Sequence, residues 1–350
     1  MKLQTDTIVV DQAGTKLAYV DSGAPSGAYT TIFAVHGLGF NSGIFERVQE
    51  KAKDANVRFV AVTRRNYEGS TPFSEAELDV IAGGTEKEKT TFMINRGVEL
   101  LVFIDKFLVE KKTPSSQEGN PNGGVAIIGW SLGNTVTLAA IAHLCSAAPE
   151  VQARLAPLIH TLILHEPSKN ILGHTPEASN WLPLTAFDQT ILEDAEIPFF
   201  AWWVSAYFQH GDLSTREHEV LQYQVPAFNL RPPTAYSLSS AGRISVIESG
   251  SPAKTDIPYL SLSAQLLASY NAVYSKEARD LLPNMKVFLL SGENSPAFAP
   301  STTWMVEDHD KQHGGGFIRA KMLKEINHFS MWDDPEITLQ AYLDCIARTF

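Results

Sequence analysis

The chain has 350 residues, 44% of them hydrophobic and 19% charged, which is enough apolar material for a sizeable core and excludes an intrinsically disordered protein. Its 28 Lys and Arg against 39 Asp and Glu give a net charge of −11, which argues against nucleic acids and membranes as partners. The amino terminus lacks the apolar core of a secretion signal, and no apolar run is long enough to span a bilayer, so we expect a cytoplasmic protein.

Strands alternate with helices in the first half of the chain. Short apolar runs predict a hairpin over 7–10 and 17–20 and strands at 31–35, 57–62, 125–128 and 159–164. Helical spacing predicts helices at 44–52, 90–109 and 132–145. The alternation returns near the end, with strands at 286–291 and 317–326 and a helix at 335–348. This order predicts an α/β fold, a mostly parallel central sheet with helices on both faces.

Two stretches interrupt this alternation. Residues 113–124 form a polar loop rich in Gly, Pro and Ser, in which we expect poor order. Residues 168–280 are dense in aromatic residues, prolines and polar turns. We interpret this stretch as a mainly helical cap domain, inserted into a core formed by residues 1–167 and 281–350, over the carboxyl edge of the sheet.

Two minor features of the composition also carry predictions. The cysteines, Cys145 and Cys345, each fall in a helical pattern and predict two small buried residues without a disulfide. His309, Asp310 and His313 have the donor types of a metal site, but they precede three glycines in a charged run. That setting favours a solvated loop, so no metal is expected there.

The stretch from Val125 to Gly133 passes from a buried strand into a helix through Gly129-Trp-Ser131-Leu-Gly133, which reads G-x-S-x-G. The glycines permit a turn too sharp for side chains at its flanks, and such a turn exposes the serine hydroxyl at the carboxyl edge of the sheet. The following helix begins with unpaired N–H groups and a positive dipole end. These features indicate that Ser131 is a nucleophile.

A second glycine-containing loop, His36-Gly-Leu-Gly39, follows the strand at 31–35. Its glycines let the backbone bend towards the serine turn, so that the N–H groups of Leu38 and Leu132 can point into one space. Two converging N–H groups would form an oxyanion hole. We expect His36 itself to be buried and to support the loop.

These two loops, together with Asn327-His328 ahead of Trp332-Asp-Asp-Pro335, resemble the α/β-hydrolase superfamily. The resemblance covers the stretches on both sides of the expected cap, which is the variable part of that superfamily. It implies a nucleophile, an acid and a base in the chain order Ser, Asp or Glu, His. Ser131 matches the nucleophile and His328 matches the base.

The acid is where this sequence departs from the commoner pattern. Many members carry an aspartate in a Gly-x-x-Asp turn after the strand that follows the cap, and that turn here reads Gly292-Glu-Asn-Ser295. A serine there cannot supply a negative charge to an imidazole. A subset of the superfamily places a glutamate after the strand that precedes the cap, where this chain has Glu166. We therefore assign Glu166 as the acid, with Glu293, Asp308 and Asp310 as alternatives.

The resemblance implies a serine hydrolase that cleaves a carboxylic ester or lactone through an acyl-enzyme and needs no cofactor or metal. The serine at position 131 separates the chain from epoxide hydrolases and haloalkane dehalogenases of this fold, which use an aspartate nucleophile. The aromatic cap favours a hydrophobic small-molecule substrate, and we expect a pocket lined by Trp130, Trp202, Trp203 and Tyr207. An acyltransferase, a thioesterase, a C–C bond hydrolase and a non-hydrolytic ligand-binding protein are the alternatives.

Overall fold

One eight-stranded sheet organises the part of the chain that the structure describes. This structure is a computed structural model, and it describes residues 5–113, 123–177, 182–184, 188–192, 195–224, 231–248 and 251–349, with the backbone alone for residues 251–254. The strands are Thr5–Val9 (β1), Lys16–Asp21 (β2), Thr30–Val35 (β3), Val57–Val62 (β4), Val125–Trp130 (β5), Ile159–His165 (β6), Lys286–Gly292 (β7) and Ile318–Leu323 (β8). Their order in the sheet is β1-β2-β4-β3-β5-β6-β7-β8. Pairings β1–β2 and β2–β4 are antiparallel and the others are parallel, which confirms the predicted sheet.

Helices connect these strands. In chain order they are Glu46–Ala52 (α1), Glu75–Gly83 (α2), Glu86–Glu110 (α3), Gly133–Ala142 (α4), Pro149–Leu155 (α5), Glu196–Val204 (α6), Thr234–Ser237 (α7), Ser240–Val246 (α8), Ser251–Tyr259 (α9), Ser263–Asn271 (α10), Lys276–Leu281 (α11), Phe298–Gln312 (α12), Ser330–Asp333 (α13) and Pro335–Ala347 (α14). Short 3-10 turns lie between some of them, including Ser42–Phe45 before α1. The sequence analysis missed α2, although Ser74 and Glu77 form a complete capping box at its start.

The two faces of the sheet build two hydrophobic clusters, because successive strand residues point to opposite sides. Along β3, Ile32 lies in one cluster, which also contains side chains of α1 and α14. Its neighbour Phe33 lies in the other cluster with side chains of α3 and α4. The helices therefore cover both faces, and the strands between them are almost wholly apolar.

Between β6 and β7 the described residues contain helices α6 to α11 and no strand. The carboxyl-terminal end of this stretch packs beside the sheet, where Tyr270 and Val273 share a hydrophobic cluster with Leu138 of α4. Earlier parts contact the loops at the carboxyl edge. The amide N–H of Phe208 donates to the Asn294 carbonyl after β7 at 2.8 Å.

The structure corrects two of the expectations drawn from composition. The charged run from residue 307 onward does not form a loop, since α12 continues to Gln312. Asp310 is buried at the end of this helix, and its carboxylate accepts the N–H groups of Gly316 and Ile318. Cys345 is buried as expected, but Cys145 is exposed, because it lies in a 3-10 turn after α4 ends.

Most of the loop predicted at 113–124 lies outside the described residues. Within the described ranges, none of the helices combines the length and the apolar character that crossing a membrane requires.

Candidate active site

The carboxyl ends of four strands of the parallel array bring the predicted site residues to one edge of the sheet. His36 follows β3, Ser131 follows β5 and Glu166 follows β6. His328 comes shortly after β8, at the far side of the same parallel array. In open α/β sheets this edge is where ligands bind.

Ser131 sits on the strained turn that the G-x-S-x-G pattern predicts. Its φ is +50°, in the left-handed region, and its N–H donates to the His165 carbonyl at 2.9 Å. A Cβ on Gly129 would lie 2.6 Å from Cα of Asn134, and one on Gly133 would lie 2.1 Å from the Val35 carbonyl oxygen. Only glycine fits at either flank, and the helix can therefore start directly behind the serine.

The loop after β3 lies against the serine. A Cβ on Gly37 would be 2.9 Å from Cβ of Ser131, so no side chain fits between them. Among the described residues, the N–H groups of Leu38 and Leu132 donate to no acceptor, although both residues are buried. Two backbone donors on the loops next to Ser131 are therefore left for an acceptor from outside this part of the chain.

His328 packs against aromatic rings, one of which belongs to Trp130, the residue before Ser131. The indole N–H of Trp130 donates to the His328 carbonyl at 3.0 Å, and the two rings lie 5.1 Å apart. The ring of Phe298 meets the imidazole edge-on at 5.2 Å. Among the described residues, the Ser131 hydroxyl makes no hydrogen bond, to His328 or to any other group. Such bonds commonly tighten only when substrate is bound.

Glu166 is the carboxylate that contacts His328. Its Oε2 lies 3.0 Å from Nδ1 of the imidazole, and both side chains are almost wholly buried. Its other oxygen, Oε1, accepts the Gly292 N–H and the Ser295 hydroxyl, the latter at 2.8 Å. The Gly292-x-x-Ser295 turn, where the commoner pattern has its aspartate, thus donates hydrogen bonds to a glutamate from the neighbouring strand. Sequence reasoning dismissed Ser295 as an acid and missed this supporting role.

His36 is completely buried, in agreement with its predicted supporting role. Its Nε2 accepts the Arg64 N–H at 3.0 Å, and burial together with the Arg64 charge holds its pKa well below the ordinary value. The imidazole is therefore neutral, and it joins the loop after β3 to the loop after β4.

The four aromatic residues expected at a pocket lie in different surroundings. Trp202 lines a cavity of about 400 Å³ together with Ile197 and Ile247. Trp130, Trp203 and Tyr207 are each only 1% exposed and are packed among other side chains. Their burial points to structural roles. From the sequence alone, an aromatic residue in the core cannot be distinguished from one that lines a pocket.

Asn327 is a further buried residue that the sequence analysis left without a role. Its side-chain amide donates to the Ser205 carbonyl at 2.8 Å, and its Oδ1 accepts the Phe329 N–H at 3.0 Å. The first bond ties Asn327 to the stretch between β6 and β7, and the second ties Phe329 to Asn327, so the residues on both sides of His328 are held. Within the described residues, no group of three His, Cys, Asp or Glu side chains has the arrangement of a metal site.

Comparison with known proteins agrees with this fold. A profile of the alpha/beta hydrolase family matches residues 32–341. The chain is similar to a thermophilic esterase from Thermogutta terrifontis, with 14% identity, a TM-score of 0.50 and coverage of 99% of this chain and 98% of that one. It is also similar to the thioesterase domain from the curacin biosynthetic pathway, with 14% identity, a TM-score of 0.49 and coverage of 98% and 100%. A search of curated proteins found no match.

The family match spans most of the chain, from β3 into α14. The chain belongs to the alpha/beta hydrolase family. At these identities the solved structures show the fold alone, so the activity has to be argued from the residues at the carboxyl edge of the sheet.

Proposed function

We propose that this protein is a serine hydrolase that cleaves a carboxylic ester or lactone of a hydrophobic small molecule, with Ser131 as nucleophile, His328 as base and Glu166 as acid. The observation that carries the proposal is the buried contact of Glu166 with His328, whose ring packs against Trp130, the residue before Ser131. A carboxylate, an imidazole and a serine in this arrangement are the parts that acyl transfer requires.

The chemistry follows from these positions. His328 Nε2 takes the proton of the Ser131 hydroxyl as the oxygen attacks the ester carbonyl, because an unaided serine is a weak nucleophile at neutral pH. The carbonyl oxygen gains a negative charge, which the N–H groups of Leu38 and Leu132 receive. The protonated imidazole then gives its proton to the departing alcohol, which leaves an acyl-enzyme. Water, activated by the same imidazole, releases the acid and restores the serine.

Glu166 supports both steps. Its Oε2 accepts a hydrogen bond from the N–H at Nδ1 of His328, which keeps the proton on Nδ1 and leaves Nε2 free as a base, and its charge stabilises the imidazolium. The two hydrogen bonds to its other oxygen keep the carboxylate facing the imidazole.

The stretch at 168–280 is proposed as a cap that supplies the acyl-binding surface. The cavity lined by Trp202 also includes Ile247, whose backbone pairs with Phe40 of the loop after β3. Most of the side chains that line this cavity are apolar, which supports a hydrophobic substrate.

The test is steady-state hydrolysis of aryl esters of graded acyl length, and of matched lactones, by the wild type and Ser131→Ala. We expect turnover that increases with acyl length up to a limit and that is lost in Ser131→Ala. Tight ligand binding without turnover would favour a non-hydrolytic pocket protein. Release of product only with thioester or diketone substrates, or only with an alcohol acceptor, would favour the other uses of the same residues.

A further inference from the structure

A buried polar cluster lies directly behind the loop that carries Leu38. It consists of Arg64 and Tyr67 from the connection after β4, and Asp256 from α9. All three side chains are almost wholly buried. The roles proposed above for Ser131, His328 and Glu166 do not use them.

The cluster is joined by direct hydrogen bonds. Two nitrogens of the Arg64 guanidinium donate to the two carboxylate oxygens of Asp256, at 3.1 and 2.7 Å. The Tyr67 hydroxyl donates to the same carboxylate and accepts the Gly39 N–H at 2.7 Å. Bidentate pairing gives the guanidinium a fixed plane and direction, and burial beside Asp256 raises the pKa of Tyr67.

The fixed guanidinium contacts the Gly37–Leu38 peptide, whose N–H is one of the two proposed oxyanion donors. Arg64 Nη2 donates to the Gly37 carbonyl oxygen at 3.1 Å. That carbonyl belongs to the same peptide unit as the Leu38 N–H, and in a trans planar peptide the two groups point in opposite directions. Holding the carbonyl therefore aims the N–H away from Arg64. Tyr67 holds the Gly39 N–H on the other side of Leu38, so the orientation is fixed from both ends.

We propose that Asp256 is a positioning residue for the oxyanion hole: through Arg64 and Tyr67 it fixes the Gly37–Leu38 peptide so that the Leu38 N–H faces the reacting carbonyl. This inference rests on the proposed function. Because Asp256 belongs to the stretch proposed as a cap, the seating of that stretch and the geometry of the oxyanion hole are coupled. A cap that moves away from Arg64 releases the peptide.

The test compares Asp256→Asn and Tyr67→Phe with the wild type in kcat, KM, unfolding midpoint and affinity for an alkyl trifluoromethyl ketone, whose serine adduct places an oxyanion in the hole. Asp21→Asn is the matched control, since it removes the carboxylate of another bidentate Arg pair, with Arg58, far from the site. We expect kcat to fall at least about tenfold in Asp256→Asn and less in Tyr67→Phe, with KM within about twofold. The affinity for the ketone should fall by the same factor as kcat/KM.

A purely structural cluster predicts a different result. In that case Asp256→Asn and Tyr67→Phe lower the unfolding midpoint, as Asp21→Asn does, while kcat and ketone affinity measured well below that midpoint stay at the wild-type values, and the inference is wrong. Removal of a buried partner charge can prevent folding. Tyr67→Phe then decides alone, because it leaves the Arg64–Asp256 pair intact. A folded wild type without ester turnover would overturn the proposed function and this inference together, whereas active wild type with fully active variants overturns the inference only.

Discussion

Glu166 and His328, which are 162 residues apart in the chain, meet at 3.0 Å between Oε2 and Nδ1. The contact is possible because β6 and β8 flank β7 in one parallel array, so the loops after these strands open on the same edge. Glu166 has a φ of +56°, and its N–H donates to the Leu290 carbonyl of β7 at 2.8 Å. The backbone that carries the carboxylate is therefore fixed to the neighbouring strand β7.

The first prediction concerns this carboxylate. Glu166→Gln keeps the size of the side chain but removes its charge and lets it favour the wrong imidazole tautomer, so kcat for an aryl ester should fall by about 10⁴. Glu293→Gln, in the turn after β7, is the control and should retain wild-type turnover. Steady-state assays of kcat on both variants test whether Glu166 is the acid. Loss of activity in Glu293→Gln with an active Glu166→Gln would transfer the role of acid to Glu293.

The second prediction concerns the close approach of Gly37 to Ser131. In Gly37→Ala the new methyl group would lie 2.9 Å from Cβ of Ser131 and 3.2 Å from the Trp130 ring, which forces the loop away from the serine. We expect kcat to fall by about 10², comparable to the loss of an oxyanion donor. Gly83→Ala, in α2, is the control, because a Cβ added there meets no atom within 4 Å, and it should leave turnover unchanged. A fully active Gly37→Ala variant would show that turnover does not depend on the close approach of this loop to Ser131.

The third prediction is a pH dependence of stability from His165. Burial, and next the charge of His328, lower the pKa of His165 from 6.5 to about 3, so the folded protein keeps this imidazole neutral while the unfolded chain protonates it near pH 6.5. Between these two values the unfolded state therefore binds more protons than the folded state. The contribution of His165 to stability is complete above pH 6.5 and is lost as the pH falls towards 3. Between pH 7 and 5 the loss is about 2 kcal/mol for this one group.

Chemical denaturation of the wild type and His165→Gln across that range measures this contribution. Glutamine can still bond to the Tyr342 hydroxyl, which contacts Nδ1 of His165 at 2.8 Å. We expect the free energy of unfolding to fall less steeply with pH in the variant. His36, which shifts in the same direction, stays in both proteins, so part of the slope should remain. Equal slopes would show that His165 does not titrate on unfolding.

The fourth prediction separates the two cysteines. Cys145 is exposed, whereas Cys345 is buried and its pKa is raised by burial. A disulfide reagent such as dithionitrobenzoate should therefore modify one thiol of the folded protein and the second only after denaturation. Cys145→Ser should abolish the first reaction. Rapid modification of two thiols in the native protein would contradict the packing of α14.

Local patterns predicted much of the fold and part of the site. The sheet follows from apolar runs of strand length, and the serine turn follows from two glycines whose neighbours leave no room for a Cβ. The charged run before Gly314 was misread because a helix that leaves Glu307 partly exposed and Asp308 exposed has the composition of a loop. The inward turn of Asp310 has no local sequence signal.

The rest depends on long-range packing. Arg64 and Asp256 are 192 residues apart, and nothing in either neighbourhood distinguishes a buried ion pair from two surface charges. The role of Trp130 could not be predicted from the sequence either, since an aromatic residue beside a nucleophile can face a pocket or the core. Here its indole supports the carbonyl of His328.

The most direct test of the account is labelling with a fluorophosphonate followed by peptide mass spectrometry. An activated serine reacts with this reagent in the folded protein, and an unactivated hydroxyl does not. We predict one equivalent of label, located on Ser131, that is absent in Ser131→Ala and strongly slowed in His328→Ala. A folded wild-type protein that takes up no label, or takes it up at a different residue, would contradict the assignment of Ser131 as the nucleophile.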